Sequence, residues 1–143
     1  MTKSISTYLE NLECWQQAKK LAVDMYQIST DGNLNQDYAL RDQLRRSAIA
    51  VASQIANGRE RRSASEFIQF LGAAKASAAE LRTQLIISRE IGYLSEGDYL
   101  DLEDKINRIS AMIGGLIRSI QKRLENRAEE QRENGQDVPI SIK

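Results

Sequence analysis

The sequence predicts an all-α protein folded as an antiparallel up-down-up-down four-helix bundle. Apolar residues recur every three or four positions in four separate segments, which is the spacing of amphipathic helices. No segment alternates apolar and polar residues as a half-buried strand does, and the 143 residues include one proline and eight glycines. Four helices joined by short loops pack most simply as neighbours that alternate in direction.

The first predicted helix begins near Thr7 or Asn11 and ends at Ile28. Thr7 and Glu10 have the spacing of a capping box, and Asn11 is an alternative N-cap. The polar run at 29–33 is expected to stop the helix. Its apolar stripe consists of Leu12, Trp15, Leu21, Ala22, Met25 and Ile28.

The second predicted helix spans about 36–56. Asn57 and Gly58 are expected to end it, because glycine tolerates the left-handed backbone conformation that terminates many helices. Residues 57–62 read NGRERR and predict a short, basic, exposed turn. The inward-facing positions of this helix are Leu40, Leu44, Ala48, Val51 and Ile55.

The third predicted helix opens at a capping box formed by Ser63 and Glu66. It is expected to end at Ile91, with Gly92 as the residue just beyond its C-cap. Both ends are therefore marked by residues with a known capping geometry. The apolar stripe between them consists of Phe67, Phe70, Leu71, Ala74, Ala78, Leu81, Leu85 and Ser88.

The fourth predicted helix starts at Ser95 and keeps its apolar period to about Leu124. Gly114 and Gly115 each cost about 1 kcal/mol relative to alanine inside a helix, so a neighbouring helix is expected to approach the backbone closely there. Residues 1–124 are accordingly assigned to the bundle, and 125–143 to a polar, charged and flexible extension that begins as a solvated helix. The stripe consists of Tyr99, Leu102, Ile106, Ile109, Ile113, Leu116 and Ile120.

The composition argues against an enzyme and against a metal or cofactor site. The chain has no histidine and one cysteine, which excludes histidine-dependent catalysis and thiolate zinc sites. It also lacks the glycine-rich motifs that hold the phosphates of nucleotide cofactors. Glu66, Glu80 and Glu103 fall outside the apolar stripes, so a carboxylate metal site is not expected. We predict a non-enzymatic protein.

Cysteine content and hydropathy predict the location of the protein. A single cysteine, Cys14, cannot form an intrachain disulfide, and the first residues lack the pattern of a secretory signal. No apolar run approaches the roughly 20 residues that cross a bilayer. A cytoplasmic protein without a membrane partner is expected.

Positive charge is concentrated in the middle of a chain whose net charge is zero. Between Arg41 and Arg89 there are nine basic and four acidic residues. Arginine binds phosphate bidentately, so this cluster predicts contact with RNA or DNA. Few aromatic residues accompany it, which favours contact with the backbone over stacking on bases. The predicted nucleic-acid-binding residues are Arg41, Arg45, Arg46, Arg59, Arg61 and Arg62.

A structural role is the alternative for part of this cluster. Arg41 and Arg45 lie beside the core stripe of the second predicted helix. They could therefore pair with carboxylates at the edge of the core, or with another subunit, instead of binding nucleic acid. The sequence leaves both roles open.

Small residues and surplus apolar residues predict self-association. The third predicted helix carries a second face of small residues beside its core stripe, which includes Ala79 and Thr83. Apolar residues outside the main stripes add surface that one bundle core does not need. These residues are Ile49, Ile68, Ile86, Ile87, Leu100 and Ile117. The predicted oligomer contacts are Gly72, Ala73, Ala76, Gly114 and Gly115.

Four stretches within about 9–124 carry a family resemblance. They are NLECWQQAKKLAVDMYQIS, YALRDQLRRSAIAVASQIANGRERRSASEFIQFL, ELRTQLIISREIGYL and GLIRSIQKRL, and the most specific part is LRRSAIAVASQIANGRERRSASEF. They resemble the four-helix bundle family encoded in intervening sequences of bacterial 23S ribosomal RNA genes.

The resemblance implies a homopentameric antiparallel four-helix bundle in a family whose function is largely unassigned, with nucleic-acid binding as the usual suggestion. A related branch, the accessory variability proteins of diversity-generating retroelements, resembles basic pentameric bundles that bind a reverse transcriptase and its RNA. This chain departs from that branch in its zero net charge.

Two hypotheses follow. In the first, the protein is a homo-oligomeric scaffold, pentameric by resemblance, that binds structured RNA or an RNA–protein complex through its arginines. Its partners would be copies of itself together with RNA or an RNA-binding protein such as a reverse transcriptase. In the second, it is a protein–protein adaptor whose arginines stabilise the bundle or a subunit interface.

Overall fold

The computed structural model describes residues 12–135, which contain five helices and no strand. The prediction of an all-α protein is confirmed. The helices are α1 (Glu13–Ile28), α2 (Gly32–Gln36), α3 (Tyr38–Arg59), α4 (Ala64–Glu90) and α5 (Glu96–Glu133). No helix within 12–135 has the length and hydropathy needed to cross a membrane.

The four long helices enclose one core. Helix α3 packs against α1 and α4, and α5 packs against the same two helices. The inward-facing residues predicted for α3 to α5 are largely buried, as are Leu21 and Met25 of α1. Each such aliphatic side chain contributes about 1.5–3 kcal/mol when it is fully removed from water. Ala18, Leu34 and Leu94 join the core without having been predicted there, as does Cys14, which was expected to be only partly buried.

Helix α1 begins at Glu13, with Leu12 in the N-cap position and no side-chain cap. The predicted caps Thr7 and Asn11 lie outside the described residues. The helix ends at Ile28 as expected.

The connection after α1 differs from the prediction. Instead of a plain polar stop, a short helix α2 places Leu34 in the core, where its side chain is 1% exposed. Gly32 opens this helix with φ +73, a conformation that favours glycine. Asp37 then caps α3 by accepting a hydrogen bond from the Leu40 N–H, so α3 begins at Tyr38 rather than at Gln36.

The predicted left-handed stop at Gly58 is wrong. Helix α3 continues through Gly58 to Arg59, and among the described glycines only Gly32, Gly92 and Gly135 have positive φ. A Cβ at Gly58 would lie 2.7 Å from Phe70 Cβ and 2.9 Å from Phe67 Cδ1. Gly58 is therefore required for the close approach of α3 and α4.

Both ends of α4 and the start of α5 have the predicted caps. The Ser63 and Ser95 hydroxyls accept hydrogen bonds at 3.1 Å from the N–H groups of Glu66 and Asp98. At the end of α4, Gly92 has φ +86 and the Tyr93 N–H donates to the Ser88 carbonyl at 2.8 Å. This is the hydrogen bond of a Schellman motif.

Gly114 and Gly115 do not mark a tight approach of two helix backbones within the chain. A Cβ at Gly114 would meet side-chain atoms instead, with Arg118 Nη1 at 3.4 Å and Lys75 Nζ at 3.6 Å. The expectation of a close backbone neighbour is wrong for this chain. Contact of either glycine with another subunit stays a prediction.

Helix α5 passes the predicted domain boundary at Leu124 without a break and ends at Glu133. The segment after Leu124 is mostly exposed, as expected of a solvated helical extension. Its flexibility stays a prediction, and residues 136–143 lie outside the described part of the chain.

Candidate arginine-lined binding site

Helix α3 separates the six predicted arginines into two groups. Arg41, Arg45 and Arg46 lie in its first half, whereas Arg59 is its last residue and is followed by Arg61 and Arg62. Arg59 follows Arg45 by 14 positions, which corresponds to about 21 Å along a helix. The structure therefore does not bring the six residues together in one surface.

Arg45 fastens α3 to the end of α1. Its Nε donates to Ser29 Oγ at 2.8 Å, and its Nη2 donates to the Ser29 carbonyl at 3.2 Å. Ser29 is fully buried and its hydroxyl donates to the Met25 carbonyl at 2.6 Å. The Arg45 guanidinium also lies 4.5 Å from the centroid of the Tyr26 ring. A cation at these carbonyls complements the negative end of the α1 dipole.

Arg41 makes similar contacts with α2. Its Nη1 donates to the Asn35 carbonyl at 3.1 Å and its Nε to Asp42 at 3.0 Å. Its guanidinium lies 4.7 Å from the Tyr38 ring centroid. Arg46 is exposed and has no such contacts within the described residues. We call Arg41, Arg45 and the residues they bind the α1–α3 junction. Its geometry agrees with the structural alternative considered for these two arginines.

The second group lies in a concavity of about 450 Å³ between the α3–α4 turn and the second half of α5. We call this concavity the arginine pocket. Two further arginines, Arg123 and Arg127, which the sequence did not indicate, also line it. We call the five lining arginines its wall. The lining residues within 12–135 are Leu12, Arg59, Arg61, Arg62, Ser63, Ala64, Phe67, Leu116, Ile120, Arg123, Leu124 and Arg127.

The charges of the arginine pocket are all of one sign among its described lining residues. Five guanidiniums line it and no carboxylate does. Within the described part of the chain, Arg61, Arg62, Arg123 and Arg127 take part in none of the ion pairs closer than 4.0 Å. Like charges held together in this way repel one another and raise the local concentration of anions.

The N-terminus of α4 adds to the positive potential of the arginine pocket. Ser63, its N-cap residue, and Ala64, its first residue, both line the pocket. The first backbone N–H groups of a helix have no acceptors within the helix and carry the positive end of its dipole. Such an end is favourable for a phosphate or carboxylate.

Aromatic rings lie beside two of the pocket arginines, contrary to the expectation from sequence. The Arg59 guanidinium lies 6.0 Å from the Phe67 ring centroid, and that of Arg61 lies 4.5 Å from the Phe70 ring centroid. These are the two phenylalanines of the chain. Guanidinium–ring contacts of this kind hold an arginine in place without consuming its hydrogen-bond donors.

Apolar side chains line the rest of the arginine pocket, and we call them its floor. They are Leu12, Phe67, Leu116, Ile120 and Leu124, of which Ile120 is buried and the others are half-buried. An anion with an apolar or aromatic part would contact both the wall and the floor.

A second concavity, of about 530 Å³, lies between α1 and α3 and is lined mainly by apolar side chains. Trp15, Val23, Tyr26, Ile49 and Ala52 belong to it. Val23 and Ile49 are 51% and 42% exposed. This apolar groove accounts for one of the surplus apolar residues noted in the sequence.

The predicted oligomer contacts differ in exposure. Gly72 and Ala76 are exposed on α4, and Ala73 is half-buried. On α5, Gly114 is buried and Gly115 half-buried. Their role in an interface stays a prediction.

Two observations concern metal ligands and the single cysteine. No group of three or more His, Cys, Asp or Glu side chains within 12–135 is placed to hold a metal ion. Burial raises the pKa of the Cys14 thiol, which disfavours the reactive thiolate.

One polar cluster joins α4 to α5. The Tyr99 hydroxyl hydrogen-bonds to Glu103, which raises the pKa of Tyr99. Arg82 lies 3.7 Å from the same carboxylate, and the Arg89 guanidinium lies 4.0 Å from the Tyr99 ring centroid. These non-covalent contacts of Arg82 with Glu103 and of Arg89 with Tyr99 connect α4 to α5.

Comparison with known proteins identifies relatives of the fold. Residues 10–115 match the sequence model of a protein family whose description is "23S rRNA-intervening sequence protein". A solved structure from Bacteroides thetaiotaomicron, described as a protein with unknown function from the S23 ribosomal protein family, is similar with a TM-score of 0.67 and 19% identity. That similarity covers 73% of this chain and 97% of the other, and at this identity it shows the fold alone. No curated protein matches the sequence significantly.

Proposed function

The chain belongs to the 23S rRNA-intervening sequence protein family, and from that membership we propose that it is a non-enzymatic, homo-oligomeric scaffold that binds structured RNA. The arginine pocket would make the contact, either with RNA alone or with an RNA–protein complex. A cytoplasmic location goes with this proposal.

The observation that carries the proposal is the unbalanced charge of the arginine pocket. Arg61, Arg62, Arg123 and Arg127 line it together, and none of them lies within 4.0 Å of a carboxylate in the described part of the chain. A guanidinium presents its donors in a fork that matches two phosphate oxygens. Phosphates of RNA would neutralise the repulsion within the pocket, and release of their counterions would make binding dependent on salt.

We further propose that α1, α3, α4 and α5 form an antiparallel four-helix bundle that assembles into a pentamer. Apolar side chains on the surface support self-association, since Ile87 and Leu100 are 46% and 52% exposed and the apolar groove lies between α1 and α3. Symmetry would repeat the arginine pocket in every subunit. Repeated sites raise the overall affinity without a large net charge on each chain.

A second candidate function is a protein–protein adaptor. The α1–α3 junction favours it, because Arg41 and Arg45 use their donors on main-chain carbonyls of the chain itself. In an adaptor the arginine pocket would bind an acidic protein segment instead of RNA.

The test compares RNA affinity between pocket variants and a matched control. Arg61→Ala combined with Arg62→Ala, and Arg123→Ala combined with Arg127→Ala, are titrated with a labelled structured RNA across a salt series. Arg108→Ala is the control, because Arg108 is an exposed α5 arginine with its side chain 74% exposed and paired with Asp104.

Each pocket pair should weaken binding and lower the slope of log affinity against log salt by about one per arginine that contacts a phosphate. The control should bind like the parent protein. If the pocket variants and Arg108→Ala bind RNA equally, the pocket is not the RNA site. Light scattering on the same samples measures the oligomer.

A further inference from the structure

We propose that the arginine pocket holds a single unpaired nucleotide, with its phosphate on the arginine wall and its base on the apolar floor. The inference rests on the proposed function and narrows it to one ligand chemistry, a phosphate ester carried by a flat aromatic body. Two sources could supply it: a free nucleoside monophosphate or the 5′-terminal nucleotide of an RNA strand.

The shape of the site favours one nucleotide over a duplex. A concavity of about 450 Å³ lies within the range of roughly 300–1,000 Å³ that is usual for small-molecule sites. A duplex presents phosphates on its outside and keeps its bases stacked inside, so it would leave the floor of the pocket without an apolar partner. An unpaired base can enter such a concavity and lie on apolar side chains.

The floor supplies a surface for the base. Phe67, Leu116 and Leu124 are half-buried, so part of each side chain is accessible to a base. All three line the same concavity as the arginines. Stacking of a base on such side chains is tolerant of sequence, because every base has an aromatic face.

The wall favours a terminal phosphate over a phosphate within a strand. A monoester carries close to two negative charges at neutral pH, whereas a phosphodiester carries one. Arg61, Arg62, Arg123 and Arg127 approach no carboxylate within 4.0 Å in the described chain, and the N-terminus of α4 opens onto the same space. The guanidinium donors and the dipole of α4 would therefore stabilise the second negative charge of a phosphate monoester.

The experiment measures affinity by calorimetry for a defined set of probes. Adenosine 5′-monophosphate is compared with adenosine, which lacks the phosphate, and with inorganic phosphate, which lacks the base. A single-stranded RNA octamer with a 5′-phosphate is compared with the same octamer bearing a 5′-hydroxyl, and with a blunt duplex of that sequence.

Adenosine 5′-monophosphate should bind roughly tenfold more tightly than adenosine or inorganic phosphate, since it alone contacts wall and floor. If the phosphorylated octamer also binds roughly tenfold more tightly than its hydroxyl form, the source is an RNA end. If the octamers do not compete with the mononucleotide, the source is a free nucleotide. Both results support the ligand chemistry.

Two variants separate the wall from the floor. Arg62→Ala should weaken the binding of both the mononucleotide and inorganic phosphate. Phe67→Leu, which keeps an apolar side chain against Gly58, should weaken the mononucleotide and leave inorganic phosphate unchanged. Thermal melting checks that each variant is folded, and Arg108→Ala again serves as the control.

One result would overturn the inference and leave the proposed function standing. In it, the duplex binds in a pocket-dependent manner, but the protein binds the mononucleotide no more tightly than adenosine or inorganic phosphate. If no RNA distinguishes the pocket variants from Arg108→Ala but the mononucleotide does, the proposed function fails and the inference stands. Both fail if neither RNA nor the mononucleotide distinguishes these variants. An equal loss of mononucleotide and phosphate binding in Phe67→Leu would also overturn the placement of the base.

Discussion

The α1–α3 junction and the arginine pocket place the same kind of residue in opposite surroundings. At the junction, Arg41 and Arg45 donate to carbonyls of the main chain and lie over tyrosine rings. In the pocket, five guanidiniums line one concavity with apolar side chains and no carboxylate among the described lining residues, although two of them also lie beside phenylalanine rings. Acceptors supplied by the chain make an arginine structural. Arg61, Arg62, Arg123 and Arg127 approach no carboxylate within 4.0 Å in the described chain, and we propose that these four bind an external anion.

The largest effect on stability is expected from substitution of Gly58, which packs against Phe67, a lining residue of the arginine pocket. In Gly58→Ala the new Cβ would lie 2.7 Å from Phe70 Cβ and 2.9 Å from Phe67 Cδ1. Overpacking of this kind should lower the free energy of unfolding by about 1–3 kcal/mol, as measured by denaturant titration.

The control for that variant is Gly97→Ala in the first turn of α5, where an added Cβ has nothing within 4 Å. It should raise stability by up to about 1 kcal/mol through helix propensity. Equal effects of the two substitutions would contradict the close packing of α3 on α4.

A smaller loss is expected at the α1–α3 junction. Arg45→Ala removes two hydrogen bonds to Ser29, whose carbonyl would lose its charged donor. The free energy of unfolding should fall by roughly 1–2 kcal/mol, because the guanidinium is partly exposed. Arg46→Ala, the exposed neighbour, should change it by less than about 0.5 kcal/mol. Chemical denaturation of both variants tests the structural role of the junction.

Removing charge from the arginine pocket should leave stability unchanged or raise it slightly. Arg123→Ala relieves repulsion among guanidiniums, so its effect should stay within about 0.5 kcal/mol and favour the folded state at low salt. Any gain should shrink as salt screens the repulsion. A loss of more than about 1 kcal/mol in thermal melts would assign Arg123 a structural role like that of Arg45.

The smallest effect concerns pH and the Tyr99 cluster. Because the Tyr99 pKa is raised by its hydrogen bond to Glu103, the bond contributes stability that is fully present below the ordinary tyrosine pKa of about 10. That contribution is lost as pH rises through the higher folded pKa. The advantage of the parent over Tyr99→Phe in unfolding titrations should therefore persist to pH 9 and vanish at more alkaline pH. A constant difference would contradict the shift.

Much of the fold follows from local rules. The period of apolar residues located the four long helices, and Ser63, Ser95 and Gly92 marked termini that the structure confirms. Helix α2 was missed because five residues are too short to show a helical period, and only the burial of Leu34 explains it.

The errors arose where distant residues decide the conformation. Asn57-Gly58 has the local form of a helix stop, but Phe67 and Phe70 of α4 require a glycine within α3. Arg123 was overlooked because the apolar stripe fades near Leu124. Only the path of α5 across the α3–α4 turn brings it to the pocket. Local patterns identified a cluster of arginines in the sequence, but they did not predict which arginines line the same pocket.

The division of the arginines into a structural pair and a binding pocket is tested most directly by measuring melting temperature and RNA affinity on the same two proteins. Arg45→Ala should lower the melting temperature and leave the affinity of the folded protein for structured RNA unchanged. Arg61→Ala combined with Arg62→Ala should leave the melting temperature unchanged and weaken RNA binding by roughly tenfold or more at low salt. Loss of RNA affinity in Arg45→Ala with none in the pocket variant would contradict the account.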